Sequence, residues 1–408
     1  MEAGGSARNP PEGRNETMQP MNPWLPRYAK LLVAATFCLI FLGGMVTSMG
    51  AGLSVPDWPT SYGYNMFTFP IERWVGPVFY EHTHRLLASC VGLMTTVLAA
   101  WIWRNWRALW VALGVMTVAT VGSHYLVRSI AGLSGPEHAM TRGLIGMHVM
   151  IWSFAGAFAV MLLSAKRDGE RDEAGWVRWM AFGAFLLVCA QGTLGGLRVT
   201  ETSIVLAMIH ACTAQAFMCL TVVMAAALSP RWNEEVLPMR ALRRGAPLVK
   251  GLAWTLVGAI FCQLMVGAVV RHLHAGLSIP DFPLSYGRLI PPVNDELVMI
   301  DFAHRVGALV VTALAAGLAW VIFAKARGHW RLTGPMLGVL GAVAMQIGLG
   351  ASVVWLRRDP LITSLHVVNG ALVLGTALLV AVRATRLKRL MEPDRQSWAQ
   401  GHYQEAHA

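Results

Sequence analysis

The chain has few charged residues: Asp, Glu, Lys and Arg together make up 13% of its 408 residues. An ordinary soluble domain carries about 25%. Hydrophobic residues make up 55% instead, and apolar runs of about twenty residues recur along most of the length. This composition excludes an ordinary soluble protein and indicates a polytopic membrane protein. The runs are also too long and too uniformly apolar to be the strands of a membrane barrel.

Ten runs are long enough to span a membrane, and we predict a helix for each, because lipid offers no hydrogen-bond partners to the backbone. The predicted fold class is therefore an all-α polytopic membrane protein. The predicted spans lie near residues 28–50, 80–103, 108–127, 141–164, 177–197, 203–228, 251–270, 298–323, 335–355 and 361–382.

The net charge of +11 follows from the predicted topology rather than from nucleic-acid binding. If the N-terminus lies inside, most of the 33 Lys and Arg residues fall on the inner side, as the positive-inside rule requires. Residues 1–23 are polar and predicted to be disordered. They contain neither an Arg-rich amphipathic pattern nor a signal-cleavage pattern. We expect a bacterial inner-membrane protein with both termini in the cytoplasm.

Cysteine is absent from the two long outer loops. All six cysteines lie within predicted spans, which excludes a loop disulfide and any mechanism that needs loop thiols. Their ordinary role is that of small apolar core residues. The six are Cys38, Cys90, Cys189, Cys212, Cys219 and Cys262.

A loop sequence occurs twice. AGLSVPDWPTSYG at 51–63 returns as AGLSIPDFPLSYG at 275–287, and the helix after each copy opens with an acid, two residues, then His-Arg. A Gln-x-x-x-Gly helix and a helix with an early His follow in each half. The paired residues are Glu81 and Asp301, His84 and His304, Arg85 and Arg305, Gln191 and Gln346, and His210 and His366.

The repeat predicts two halves of equal orientation, because an even number of spans separates the copies. We expect two four-helix bundles related by a pseudo-twofold axis along the membrane normal. The first half has two extra helices, within about 105–170. The predicted parts are a tail at 1–23, a first half at 24–228, a basic linker at 229–250, a second half at 251–385 and a tail at 386–408.

Four histidines lie at one depth near the outer face: His84, His210, His304 and His366. A lone helical His is usually a hydrogen-bonded core residue, but this set is paired by the repeat, and ionisable groups within spans usually serve function. Two histidines on facing helices can clamp a heme iron, which predicts two heme sites. A zinc-finger site is excluded by spacing, and an outer copper site stays open. His148, in the inserted pair, is an alternative ligand for the first site.

Glu81 lies three residues before His84, so both project from one helix face. A buried carboxylate there could accept a proton, pair with a cationic intermediate or anchor a hydrogen bond. The alternative is an acid favoured by the helix macrodipole, an interpretation that holds better for Asp301. His82 points to another face and is not predicted to be a ligand.

Taken together, the doubled loop, Glu-x-x-His-Arg, Gln-Gly-x-x-Gly-Gly and later His resemble the heme A synthase family over nearly all spans except about 105–170. The resemblance implies oxidation of the C8 methyl of heme O to a formyl group by successive hydroxylations, giving heme A for terminal cytochrome oxidase. It implies that His304 and His366 bind heme b, and that His84 and His210 present heme O with Glu81 at the reacting methyl. Partners would be an electron-transfer protein, a heme O synthase and oxidase assembly factors.

Four arginines near the outer edge could pair with heme propionates: Arg85, Arg198, Arg271 and Arg305. The repeated loop is expected to cap each site, either as a direct heme contact or as an interfacial loop with a folding role. Two other functions use the same histidines. One is a membrane electron carrier with two b-type hemes, and the other is a heme transporter or chaperone.

Overall fold

A computed structural model describes residues 22–103, 111, 114, 175–232, 240–292, 295–326 and 329–391. Its regular structure there is helical, apart from short 3-10 turns and two isolated bridges. The helices are α1 (Trp24–Ser48), α2 (Pro77–Trp103), α3 (Gly175–Thr200), α4 (Ile204–Ala227), α5 (Arg240–His272), α6 (Glu296–Lys325), α7 (Trp330–Trp355) and α8 (Pro360–Met391).

All eight of these helices contain a stretch long and apolar enough to cross a membrane. They match eight of the ten predicted spans to within a few residues at most ends, and α5 begins well before its predicted span. The all-helical membrane fold is thus confirmed for the part of the chain that the structure describes. The predicted helix near 108–127, apart from residues 111 and 114, and the whole predicted helix near 141–164 with His148 lie outside the described residues.

Polar residues mark where two helices begin. Ser203 accepts a hydrogen bond from the backbone N–H of Leu206 at the start of α4. Asp295 accepts one from Leu297 at the start of α6, at 2.7 Å. Each cap satisfies a backbone donor that the first turn of a helix leaves unpaired.

Matching helices make matching contacts in the two halves. In the first half α1 packs on α2 and α4, and α3 packs on α2 and α4. In the second half α5 packs on α6 and α8, and α7 packs on α6 and α8. The halves meet through α1 against α8, α4 against α5, and α4 against α8. Exchanging the halves leaves this set of contacts unchanged, as a pseudo-twofold relation requires.

Each half has its own apolar core. Residues such as Leu98, Phe182 and Met224 fill the first, and Leu256, Leu318 and Leu374 fill the second. Met218 of α4 belongs to the second core, so one helix of the first half contributes to both sides of the junction. The same helices carry the predicted histidines, so the packed cores fix how these helices lie against one another.

Candidate functional site

Two histidine rings face each other in the second half. The centroids of the His304 and His366 rings are 6.4 Å apart, with an interplanar angle of 67°. Both rings line a cavity of about 360 Å³ walled by all four helices of this half and by residues of α1 and α4. A cavity of this size falls within the usual range for a bound cofactor.

The spacing of the rings fits one metal between them. An imidazole nitrogen binds a transition metal at about 2 Å, so two rings on opposite sides of one metal have centroids roughly 6 Å apart. Among the described residues, no three His, Cys, Asp or Glu side chains come together to hold a bare metal ion. A heme iron needs only axial ligands from the protein, so the His304–His366 pair suits heme better than zinc or copper.

A glycine of the neighbouring helix lies against each of the four predicted ligand rings. A Cβ at Gly43 would lie 3.1 Å from Cε1 of His84, and one at Gly267 would lie 3.1 Å from Cε1 of His304. Gly195 and Gly350 stand in the same relation to His210 and His366, at 3.3 and 3.2 Å. The two halves therefore cradle their histidines in the same way, with repeat-related residues.

Hydrogen bonds to the histidines differ between the halves. In the second half Gln263 donates to the backbone oxygen of His304 at 2.7 Å, and its amide nitrogen lies 3.0 Å from ring Nδ1. Gln346 donates to the backbone oxygen of His366 at 3.0 Å and receives a bond from Asn369 at 2.7 Å.

The buried Nδ1 atoms of His84 and His210 in the first half have no hydrogen-bond partner, and neither has that of His366 in the second half. Gln191, the counterpart of Gln346, donates to the hydroxyl of Thr213 instead. The four rings are backed by glycines in the same way, and His304 is the one of the four with a side-chain contact at Nδ1.

The repeated loops fold alike. Asp57 accepts hydrogen bonds from the backbone N–H groups of Tyr62 and Gly63, at 2.7 and 2.8 Å. Burial alone would raise the pKa of Asp57, but its bonds from Thr60, Gly63 and Tyr62 outweigh this and lower it. In the second copy, bonds from Gly287 and then Tyr286 lower the pKa of Asp281. Each aspartate thus closes its loop as a carboxylate.

The acid and arginine of each His-Arg helix tie that helix to its loop. Glu81 is 4% exposed; its Oε2 accepts from the backbone N–H of Val55 at 2.9 Å, and its Oε1 pairs with Arg85 at 2.8 Å. Arg85 also donates to the backbone oxygens of Val55, Asp57 and Thr60. Glu81, the predicted catalytic acid, and Arg85, a predicted propionate partner, thus together hold the loop at 51–63 to α2.

The second half repeats this arrangement with longer bonds. Asp301 accepts from the backbone N–H of Ile279 at 3.3 Å and pairs with Arg305 at 3.4 Å. Arg305 donates to the oxygens of Ile279, Asp281 and Leu284. The shorter acid reaches its loop less closely than Glu81 does.

The other two predicted arginines also bind backbone oxygens, but they differ in what they leave free. Arg198 donates to Gly52 at 2.7 Å within the first half. Arg271 donates to Gly44 at 2.6 Å and to the hydroxyl of Ser48 at 2.7 Å, across the junction of the halves. Its Nη1 is buried without a partner, and Arg271 lines the cavity, so one positively charged donor remains available there.

The sequence analysis missed three residues of the second site. Gln263, His274 and Arg358 all line the cavity, and Arg358 contacts Nδ1 of His274 at 3.1 Å. Gln263 carried a signal, since it is a polar residue inside an apolar run. His274 and Arg358 lie outside the repeated motifs. His82 packs between Phe69 and Trp74, with ring centroids 4.9 and 4.6 Å away, apart from the ligand set.

Comparison with known proteins gives consistent matches. A family model for cytochrome oxidase assembly proteins (COX15-CtaA) matches residues 138–378. A heme A synthase of Symbiobacterium thermophilum is 30% identical over 178 residues, covering 42% of this chain and 56% of that protein. One of Beijerinckia indica is 31% identical, covering 42% of this chain and 49% of that protein. The chain thus spans about half the length of these two relatives.

A longer match extends over both halves. A heme A synthase of Halalkalibacterium halodurans is 26% identical over 353 residues, covering 86% of this chain and 93% of that protein. The similarity therefore includes both copies of the repeat.

Proposed function

The chain belongs to the cytochrome oxidase assembly protein family, and from this membership and the two histidine pairs we propose that it is a heme A synthase. It would oxidise the C8 methyl of heme O to a formyl group through two hydroxylations and loss of water. The observation that carries the proposal is the His304–His366 pair, with rings 6.4 Å apart at a cavity of about 360 Å³. The same glycine-backed histidine arrangement in the first half supports a second site.

The second half would hold heme b, with His304 and His366 as the ligands of its iron. When bound, heme b supplies an iron that changes its valence by one electron. The cavity walls are mostly apolar, and the free Nη1 of Arg271 at the cavity wall offers a partner for a propionate. Arg358 and His274 line the same cavity and contact each other, so they add polar groups to the wall that carries Arg271.

The first half would hold the substrate heme O between His84 and His210. Glu81 is the proposed catalytic residue, since it is a nearly buried carboxylate on the same helix as His84. Its charge would stabilise positive charge that develops at the reacting methyl. Because Arg85 and Arg198 already serve loop oxygens, their proposed contact with propionates would use guanidinium donors that those bonds leave free.

The multi-pass fold requires a membrane, and we assign the chain to a bacterial inner membrane with both termini in the cytoplasm. The charge bias of the sequence supports this orientation. The reaction removes electrons from the methyl group, so it needs an electron-transfer partner. Heme O synthase and oxidase assembly factors are further proposed partners, as suppliers of substrate and users of product.

The test is mass analysis of heme extracted from the purified full-length protein after expression in a host that makes heme O but not heme A. Heme A or hydroxylated heme O beside heme b would establish the synthase. Unaltered heme O in the membranes, with heme b alone in the protein, would contradict it and favour an electron carrier. A His304→Ala variant should lose heme b, whereas His329→Ala, at the inner end of α7, should retain it.

A further inference from the structure

The two histidine pairs differ most at one position. Gln263 of α5 lies four residues before Gly267, which backs the ring of His304. The residue four positions before Gly43 in the first half is Leu39. An amide thus reaches the ligand ring in one half, and its repeat counterpart is an aliphatic side chain.

The facing helix has changed together with this position. A Cβ at Gly307 of α6 would overlap the side-chain oxygen of Gln263. The counterpart of Gly307, two residues after the arginine of the first half, is Leu87. The second half therefore carries a Gln-Gly pair where the first carries a Leu-Leu pair, and only the glycine leaves room for the amide.

From these contacts we infer that Gln263 is a positioning residue for the iron ligand His304 and makes the second half the tighter heme site. This inference rests on the proposed function. The amide contacts both the backbone oxygen and the ring Nδ1 of His304, at 2.7 and 3.0 Å, and so fixes the rotation of the ring. Metal-ligating histidines commonly give their second nitrogen to such a partner, which orients the ring and makes it a stronger ligand.

The amide can serve Nδ1 in either protonation state, because it carries both a donor and an acceptor. With iron on Nε2, Nδ1 carries the ring proton. The amide must then turn its oxygen to Nδ1, and it gives up the bond that its nitrogen donates to the backbone oxygen of His304. His84 has no such side chain at Leu39, and its Nδ1 is unpartnered. The ring of His84 is held by a hydrogen bond to the backbone of Leu39 and has no side-chain partner at Nδ1. His304 has the side-chain contact from Gln263 at Nδ1, and a ligand oriented at its second nitrogen suits a resident cofactor.

The test uses the full-length protein loaded with heme b, and compares Gln263→Met, Gln263→Glu and Leu39→Met. The readouts are the midpoint potential of heme b and its rate of transfer to apomyoglobin. Gln263→Met keeps the side-chain volume but loses the acceptor, so transfer should become about ten to a hundred times faster and the potential should rise. Gln263→Glu restores an acceptor, so its potential should lie at or below that of the parent protein. Leu39→Met should leave both readouts of the heme b site unchanged.

Gly307→Ala provides a second route, since it displaces the amide without removing it, and it should shift both readouts in the direction of Gln263→Met. Parental potential and transfer rate in both Gln263→Met and Gly307→Ala would overturn the inference. Failure of the proposed function would give a different result. Either the His304→Ala variant would retain its heme b, or the parent protein would leave heme O unaltered. If Gln263→Met does not fold, Gly307→Ala and Gln263→Glu decide the question alone.

Discussion

The indole of Trp58 occupies the space that a side chain at residue 196 would fill. A Cβ at Gly196 of α3 would lie within 2.6 Å of indole atom Cε2. In the second half the loop residue is Phe282, and the helix residue is the buried Ala351. In the first half the large indole thus lies against a helix residue that has no side chain. In the second half Phe282 packs edge-on against Trp355 of α7, with ring centroids 6.1 Å apart.

We expect Gly196→Ala to destabilise the first loop by about 1–3 kcal/mol, the usual cost of overpacking. Trp58→Phe should recover much of this loss when combined with Gly196→Ala, because the smaller ring leaves part of the space that the new methyl group needs. The measurement is thermal unfolding of the purified protein in detergent for both single variants and the double variant. Additive losses in the double variant would show that the two residues are not fitted to each other.

The glycines beside the ligand rings lead to a second prediction. Gly267→Ala places a methyl group 3.1 Å from Cε1 of His304, so the ring must shift by a few tenths of an ångström to make room. We expect a severalfold loss of bound heme b with little change in helix content, because the crowding is confined to the ligand. The control is Gly258→Ala on the same helix, where a Cβ would meet nothing within 4 Å. Heme content from absorbance and helicity from circular dichroism distinguish the two outcomes. Equal heme content in Gly258→Ala and Gly267→Ala would contradict the cradle.

Much of this architecture is predictable from the sequence. The eight described spans can be predicted from the length and hydropathy of the apolar runs. The histidine pairs can be predicted from the spacing of the repeat. Neither prediction requires knowledge of how the helices pack. The direction of the Arg85 side chain does not follow. Three backbone oxygens of the loop turn toward its guanidinium, and their positions depend on the whole path of residues 55–60.

Gln263 escapes sequence analysis for a different reason. A search for repeated residues discards positions that differ between the copies, and Gln263 matters because its counterpart is Leu39. Its contact with His304 also needs space at Gly307, which lies on another helix. Such a pair becomes visible only when the packing of α5 on α6 is known.

The two acid-arginine pairs lead to a third prediction. Arg85→Met leaves the buried Glu81 without its partner and removes three bonds to the loop, so we expect a loss of about 3 kcal/mol or more. Arg305→Met should cost less, because the Arg305–Asp301 distance is 3.4 Å rather than 2.8 Å. Unfolding by denaturing detergent gives the order of the two variants. Equal losses would mean that the pair distance does not determine the strength of the cap.

Acid should loosen the repeated loops. Because backbone N–H bonds hold the pKa of Asp281 below its usual value of 3.8, the stabilisation they give is present above that value and is lost as pH falls through the lowered pKa. Hydrogen exchange of the Tyr286 and Gly287 amides, corrected for the pH dependence of an unfolded peptide, should show protection that disappears in this acidic range. In Asp281→Asn the same amides should be less protected at neutral pH and should no longer respond to acid. Protection unaffected by acid in the parent protein would contradict the role of the carboxylate.

Glu81 has two separable roles, since its carboxylate both anchors the loop and supplies the charge proposed for catalysis. Glu81→Gln keeps an oxygen for the Val55 N–H but loses the charge, so the loop should be moderately weakened while heme A formation falls by at least tenfold. Asp301→Asn is the matched control, because it removes the equivalent charge from the half that is not assigned to chemistry. It should retain most of the activity.

Extracted heme measures product and retained heme b, and hydrogen exchange at Val55 measures the stability of the loop. If Asp301→Asn lowers heme A as strongly as Glu81→Gln, or if Glu81→Gln forms heme A at the parental level, then the acid serves the cap alone. Heme A lost in Glu81→Gln with heme b and loop protection kept would assign the charge to the reaction.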